Sequence, residues 1–290
     1  MNRHTPSALR QTAQQWLAAG HSAIVIEVVQ IKGSTPRNVG ARMLVSAHHS
    51  CGTIGGGHLE WRAMALARQA LAECPPPAQA ASWQQDFALG PTLGQCCGGA
   101  LTVSFAPLTS ETLANWPNTP PRFHLELHGA GHVGQAIVHL LKELDCTVRW
   151  IDERGEPDEL ADCGLPSADM LATLPSHITW LPTDQAEAEV QDAPAGAFHL
   201  VLTHRHDLDL RIVNAILRRG DAGFVGLIGS QTKRAQFRRR LSEQGLSPQA
   251  IESMTCPIGI NGINGIQGKE PMVIAISVLA QLLQAAPPQA

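Results

Sequence analysis

Two adjacent cysteines followed by two glycines, Cys96-Cys97-Gly98-Gly99, place soft sulfur beside a backbone without side chains. Thiolate is the protein ligand for soft metals and the nucleophile towards sulfur donors, so this segment suits a thiol that must reach a metal or a sulfur carrier. Neighbouring side chains of an extended segment point apart, and none of the seven cysteines shows the spacing of about two to four residues that a zinc site prefers. The plainer reading makes one of the pair a small core residue. A second group, Thr203-His204-Arg205-His206-Asp207-Leu208-Asp209, has imidazoles and carboxylates for zinc or manganese. It partly resembles a metallo-hydrolase His-x-His-x-Asp-His pattern, but the last His is missing and the Asp is shifted. It reads as a loop lining a ligand without a metal, with Asp207 suited to capping the helix that follows. In Gly229-Ser230-Gln-Thr-Lys233-Arg234 a hydroxyl and two cations suit a phosphate, whereas Arg238, Arg239 and Arg240 read as solvated surface. Gly55-Gly56-Gly57-His58 is a further candidate anion loop, with Arg37 and Arg42 able to bring charge to it, or simply a steep bend.

The glycines of Phe123-His-Leu-Glu-Leu-His-Gly129-Ala-Gly131-His-Val-Gly134 lie between a short alternating strand and a helical pattern reaching Leu141. This is a strand-turn-helix of the dinucleotide-binding kind. Gly129 permits the turn, Gly131 leaves room for a phosphate, and Gly134 lets the helix lie close on the strand. A second strand ends in Asp152, near the offset of about 20 residues expected for a ribose-binding acid.

These segments need elements to hold them. A helical pattern over 7–19, strands at 23–31 and 42–46, a turn at 48–52, a helix from the second glycine loop to about Glu73, and strands at 83–89 and 100–106 form an α+β domain, 1–108. Residues 109–121, with three prolines, read as a linker. In 122–290, strands at 124–128, 147–151, 178–181, 198–203 and 223–228 alternate with helices, and an apolar helix closes the chain near Leu283. The expected fold class is therefore α/β, an N-terminal α+β domain followed by a Rossmann-like, doubly wound parallel sheet. Such sheets bind ligands at the carboxyl ends of their strands, where the glycine fingerprint, the Thr203 loop and the Gly229 loop all fall.

The totals narrow the classes. At 290 residues and 44% hydrophobic content the chain can bury a sizeable core, and a net charge of −4 argues against a broad nucleic-acid surface. No run is apolar enough for a membrane span or export signal, so a cytoplasmic location with reduced cysteines is expected. The absence of tyrosine removes any dehydrogenase mechanism with a phenol as proton donor.

Taken in order, Gly33-Ser-Thr-Pro-Arg37, Gly40-Ala-Arg-Met-Leu-Val45, Gly52-Thr-Ile-Gly-Gly-Gly-His-Leu-Glu60, Gln95-Cys-Cys-Gly-Gly99, Gly129-Ala-Gly-His-Val-Gly134, Asp152-Glu-Arg154, Thr203-His-Arg-His-Asp207, Ile228-Gly-Ser230 and Pro257-Ile-Gly259 resemble the XdhC/CoxI family of xanthine dehydrogenase accessory proteins. The likeness runs from about residue 24 to 283. Asn38 stands where members more often carry an acidic residue. The resemblance implies a non-catalytic chaperone that holds the molybdenum cofactor (molybdopterin) while a cysteine desulfurase exchanges oxygen for sulfur. It then passes the cofactor to an apo xanthine dehydrogenase or related molybdoenzyme, and a homodimer is implied. By the same likeness the thiol at the metal is Cys97, then Cys96. The cofactor-binding set is Gly98, Gly99, Gly55, Gly56, Gly57, Gly129, Gly131, Gly134, Asp152, His204, Ser230 and Lys233. The alternative is an NAD(P)-dependent oxidoreductase using the second domain, and a metal-dependent hydrolase at His204 and His206 is a third.

Overall fold

The computed structural model describes residues 5–73, 81–89, 98–154, 164–260 and 265–287. The chain divides into two units, Met1–Pro120 and Pro121–Ala290.

In the first unit, helix α1 (Pro6–Ala18) precedes strands β1 (Ala23–Lys32), β2 (Arg42–Ser46) and β3 (Ser50–Gly52). Helix α2 (Gly57–Glu73), strands β4 (Trp83–Ala88) and β5 (Ala100–Pro107) and the short helix α3 (Ser110–Ala114) follow. The strands form an antiparallel sheet in the order β3-β2-β1-β5-β4. Alternation along β1 explains its place at the centre. Ile24, Ile26 and Val28 pack with Leu59, Ala63 and Ala67 of α2, while Ala23 and Val25 pack with Leu9 and Ala13 of α1. The sequence shows a turn at 48–52, but Ser50–Gly52 pairs with β2 because Cys51 is buried against the α1 layer. In the proline-rich stretch after Leu108, Thr109 caps α3 and Trp116 is buried with Leu9 and Val25.

The second unit contains strands β6 (His124–His128), β7 (Thr147–Asp152), β8 (Ile178–Pro182), β9 (Phe198–Val201), β10 (Phe224–Leu227) and the two-residue β11 (Met254–Thr255). Its helices are α4 (His132–Leu141), α5 (Ala168–Ala172), α6 (His206–Arg219), α7 (Gln231–Glu243), α8 (Pro248–Glu252) and α9 (Pro271–Ala285). All strand pairs are parallel, in the order β11-β10-β9-β6-β7-β8. Sheet growth thus reverses between β6 and β9, the doubly wound Rossmann arrangement. Helices α4 and α9 cover one face and α6, α7 and α8 the other. The short β11 lies beyond the five strands legible in the sequence. No described helix is long and apolar enough to cross a membrane.

The alternation His124-Leu-Glu126-Leu-His128 reads as a strand with one wet face. Here both faces are covered, and the polar side is a buried column. His124 Nε2 bonds Glu126 Oε1 at 2.7 Å, and Arg149 of β7 approaches the same oxygen at 3.4 Å. The His128 ring is fully buried and stacks at 5.8 Å on His199 of β9, with neither nitrogen partnered among the described residues. Burial, then the charges of His199 and Arg149, holds the His128 pKa well below the ordinary value. Burial, then Arg219, lowers that of His199 to about 4, although Asp221 opposes the shift.

Both rings are therefore neutral in the folded protein and take up protons only on unfolding, where the ordinary pKa is 6.5. The unfolded state binds more protons below that pH. Stability should fall as pH drops from about 6.5 towards about 4, by up to about 1.4 kcal/mol per pH unit for each ring. Chemical denaturation at about pH 7 and about pH 5 measures the loss. His128→Phe combined with His199→Phe should remove most of it, and an unchanged slope in that double variant would assign the loss to other groups.

Candidate functional site

Three motif loops meet at one end of the first sheet. β1 runs out into Gly33-Ser-Thr-Pro-Arg37, the turn after β3 leads into α2, and Gly98-Gly99 opens β5. A Cβ on Gly99 would lie 2.3 Å from the Ser34 carbonyl oxygen and 2.7 Å from that of Lys32. The Gly99 carbonyl in turn accepts from the Leu89 amide at 2.8 Å. A Cβ on Gly55 would lie 2.4 Å from Pro36 Cγ. Only glycine permits either approach. Gly98 is exposed with open space around it. Cys96 and Cys97 lie outside the described residues.

The Gly55-Gly56-Gly57 loop, expected to receive an external anion, already holds one. Glu60, in the first turn of α2, folds back so that Oε1 accepts from the amides of Ile54 (2.9 Å), Gly55 (3.1 Å) and Gly56 (2.7 Å) and from the Thr53 hydroxyl. Positive φ at all three glycines turns the chain into this concave shape, and a carboxylate near a helix start is favourably placed. Arg42 does not serve this loop; it pairs with Glu27 and lies 5.3 Å over the Trp116 ring.

In the second unit, Gly129 (φ +120°) and Gly134 are required by close approach. Their Cβ atoms would lie 2.4 Å from Leu202 O and 2.3 Å from Gly129 O. Gly131 caps α4 with no side-chain bond and, among the described residues, no atom within 4 Å of a built Cβ. Asp152, at the spacing of a ribose acceptor, is engaged by donors of its own chain. Oδ2 accepts from the Ala130 amide (2.6 Å) and Arg154 Nη2 (2.8 Å), and Oδ1 from the Arg154 amide (3.0 Å) and Nε (2.9 Å). Four donors fill the roughly four lone-pair sites of a carboxylate. Burial works to raise its pKa, but these bonds and the Arg154 charge outweigh that and hold it below the ordinary value.

His204 is exposed at the mouth of a small cavity shared with His128, Asp152, Glu153 and Thr203. His206 opens α6, and no group of three metal-ligating side chains exists among the described residues. The expected cap Asp207 pairs instead with Arg205 and Arg211, each at 3.3 Å. Asp209 ties this loop: Oδ1 accepts from the Thr203 amide (3.0 Å) and hydroxyl (2.7 Å), and Oδ2 from Lys233 Nζ (2.6 Å). Lys233 is thus a buried partner of Asp209 and not an exposed cation, while Ser230 caps α7 by accepting from the Lys233 amide at 3.2 Å. Glu60 and His128 have no role assigned by the sequence, and Asp209, a candidate metal carboxylate by sequence, is instead an internal tie. A polar residue at every second position of a central parallel strand was the available signal for His128.

The described cysteines, Cys51, Cys146 and Cys256, are buried. Burial, reinforced by Asp145, pushes the Cys146 thiol up to about 12, and burial also raises Cys256. Cys146 and Cys256 are held as inert thiols. The Glu60 clamp is directly testable. Glu60→Ala should lower stability by about 2–3 kcal/mol by removing a charged acceptor from several donors, and Glu60→Gln, which keeps an oxygen, should lose about 1. Urea midpoints measure both, and an alanine variant within about 0.5 kcal/mol of wild type would show that the loop holds without the clamp.

Comparison with known proteins follows the same division. Residues 125–282 match the XdhC Rossmann domain model and residues 16–77 the XdhC and CoxI family model. The Escherichia coli (strain K12) protein called uncharacterized protein YqeB is 31% identical over 261 residues, which are 89% of this chain and 42% of that protein. The chain therefore spans less than half the length of this curated relative. A crystal structure described as a xanthine dehydrogenase from Bacillus halodurans superposes with a TM-score of 0.71 over 95% of both chains at 17% identity, a likeness of fold. With its second unit matched almost end to end and its first in part, the chain is a member of the XdhC/CoxI family.

Proposed function

We propose that this protein carries the molybdenum cofactor for an enzyme of the xanthine dehydrogenase class. It holds molybdopterin, keeps it while a cysteine desulfurase replaces oxygen with sulfur, and delivers it to the apoenzyme. Family membership supports the maturation role. The observation that carries the reading further is the convergence of the Gly33, Gly55 and Gly99 loops on glycine-only contacts at the segment that directly follows Cys97.

The amides of Ile54, Gly55 and Gly56 are engaged by Glu60, so this loop supplies shape rather than anion donors. In the second unit, taken by itself, the start of α4 suits an anion: no side chain caps it, and space lies beside Gly131. In this reading Cys97 is the thiol at the metal, Cys96 stands next to it, and Gly98 lets the thiol be approached. The bound cofactor supplies the molybdenum centre of the client; the chain itself performs no net reaction. An NAD(P)-dependent oxidoreductase is disfavoured, because Asp152 has no lone pair left for a ribose hydroxyl and no tyrosine exists to donate a proton.

Freshly purified protein should release molybdopterin detectable by mass spectrometry. Cys97→Ala should lose most of the bound cofactor with an unchanged circular dichroism spectrum. Loading at wild-type level in both Cys97→Ala and Cys96→Ala would overturn the assignment. Titration with NAD and NADP should show no micromolar binding; tight binding with turnover would favour the dehydrogenase.

A further inference from the structure

The carboxyl edge of the parallel sheet offers a second place for a ligand, two strands away from the β6–β9 reversal. A cavity of about 460 Å³ opens there between the start of α7, β11 with the chain beyond it, and α9. That is within the size range of small-molecule sites. Its polar lining comes from Gln231, Arg234, Glu252, Thr255, Gln281 and Gln284.

Its charged lining is one guanidinium, Arg234, and one carboxylate, Glu252. Glu252 is hydrogen-bonded by Arg238, and this bond holds the carboxyl below its ordinary pKa, so it is ionised. Arg234 comes no nearer than 3.9 Å to the other oxygen of Glu252, beyond hydrogen-bond distance. Arg238, outside the lining, thus takes the Glu252 carboxylate, and Arg234 pairs with it only at long range, without a hydrogen bond. Lys233, the other cation of this strand end, is buried on Asp209 and does not compete. The cap of α7 is filled by the Ser230 hydroxyl, so the helix end is not what makes the site.

The remaining polar groups are uncharged carboxamides and a hydroxyl. The Gly259 amide donates to Gln281 Oε1 at 2.7 Å, which fixes the orientation of that amide and leaves its NH₂ without an acceptor among the described residues. Gln231 and Gln284 are exposed at the rim. An anion alone would use Arg234 and leave these groups to water; an anion attached to a polar, uncharged body would use them all.

We propose that this cavity binds a phosphate monoester with a hydroxyl-rich or amide-rich body, its phosphate on Arg234 and its body against Gln231, Gln281 and Gln284. The site is separate from the start of α4 and does not depend on the cofactor reading. The full-length protein, titrated calorimetrically at low salt with guanosine monophosphate, ribose 5-phosphate and inorganic phosphate, should bind at least one organic ester with a Kd of about 10–100 µM. Inorganic phosphate should bind at least about tenfold more weakly. Arg234→Gln should weaken the ester by about tenfold or more, and Gln284→Leu should weaken the ester but not inorganic phosphate. Arg62→Gln, on exposed α2, should change neither. Absence of binding up to about 5 mM, or binding unaltered by Arg234→Gln, would overturn the site, and equal affinity for ester and inorganic phosphate would overturn the ligand class. Cys97→Ala should leave ester binding intact, which separates failure of this site from failure of the cofactor assignment.

Discussion

Three motif loops of this protein are each gathered by a carboxylate from its own chain. Glu60 collects the Thr53 hydroxyl and three amides of the first glycine loop; Asp152 collects Ala130 and Arg154; Asp209 collects Thr203 and Lys233. A glycine-rich turn exposes amide donors and has little side-chain packing to define it, so its shape must come from elsewhere. A charged acceptor with several donors on it is a strong local tie, because hydrogen bonds to ionised groups are about twice as strong as neutral ones. The rest of each site takes its geometry from these ties.

The scaffold beneath them is built from ordinary patterning. In the first unit, β1 alternates its apolar residues between two helical layers. In the second, the doubly wound order sends the helices after β6 and β9 to opposite faces of the sheet, and glycine at 129 lets the two loops touch at its edge. The polar column of β6 is the exception. With β9 beside it, it places the neutral imidazoles of His128 and His199 where a parallel sheet normally carries hydrocarbon, at a cost in stability that packing elsewhere must offset.

Most of the scaffold was legible from the chain. Strand positions followed from alternation and apolar runs, and β6, β7 and β9 to β10 lie within a few residues of where periodicity puts them. What spacing could not reveal was which partner each polar group meets. Asp152 sits at the offset of a ribose acceptor, yet Arg154, two residues on, fills its lone pairs. Lys233 looks like an exposed phosphate ligand, yet Asp209, 24 positions earlier, takes its charge into the core. Asp207 is the expected cap by sequence, yet it pairs with Arg205 and Arg211, and it is Asp209 that turns inwards. Short elements such as β3, β11 and α3 have too few residues for a periodic signal, and the Cys96-Cys97 pair lies outside the described residues.

Because Glu60 already occupies the concave face of its loop, that loop has its working shape before anything arrives. An arriving molecule spends no binding energy freezing it, and a departing one leaves no frayed segment behind. For the proposed carrier, loading and release at this loop would then be free of any step that orders or melts it.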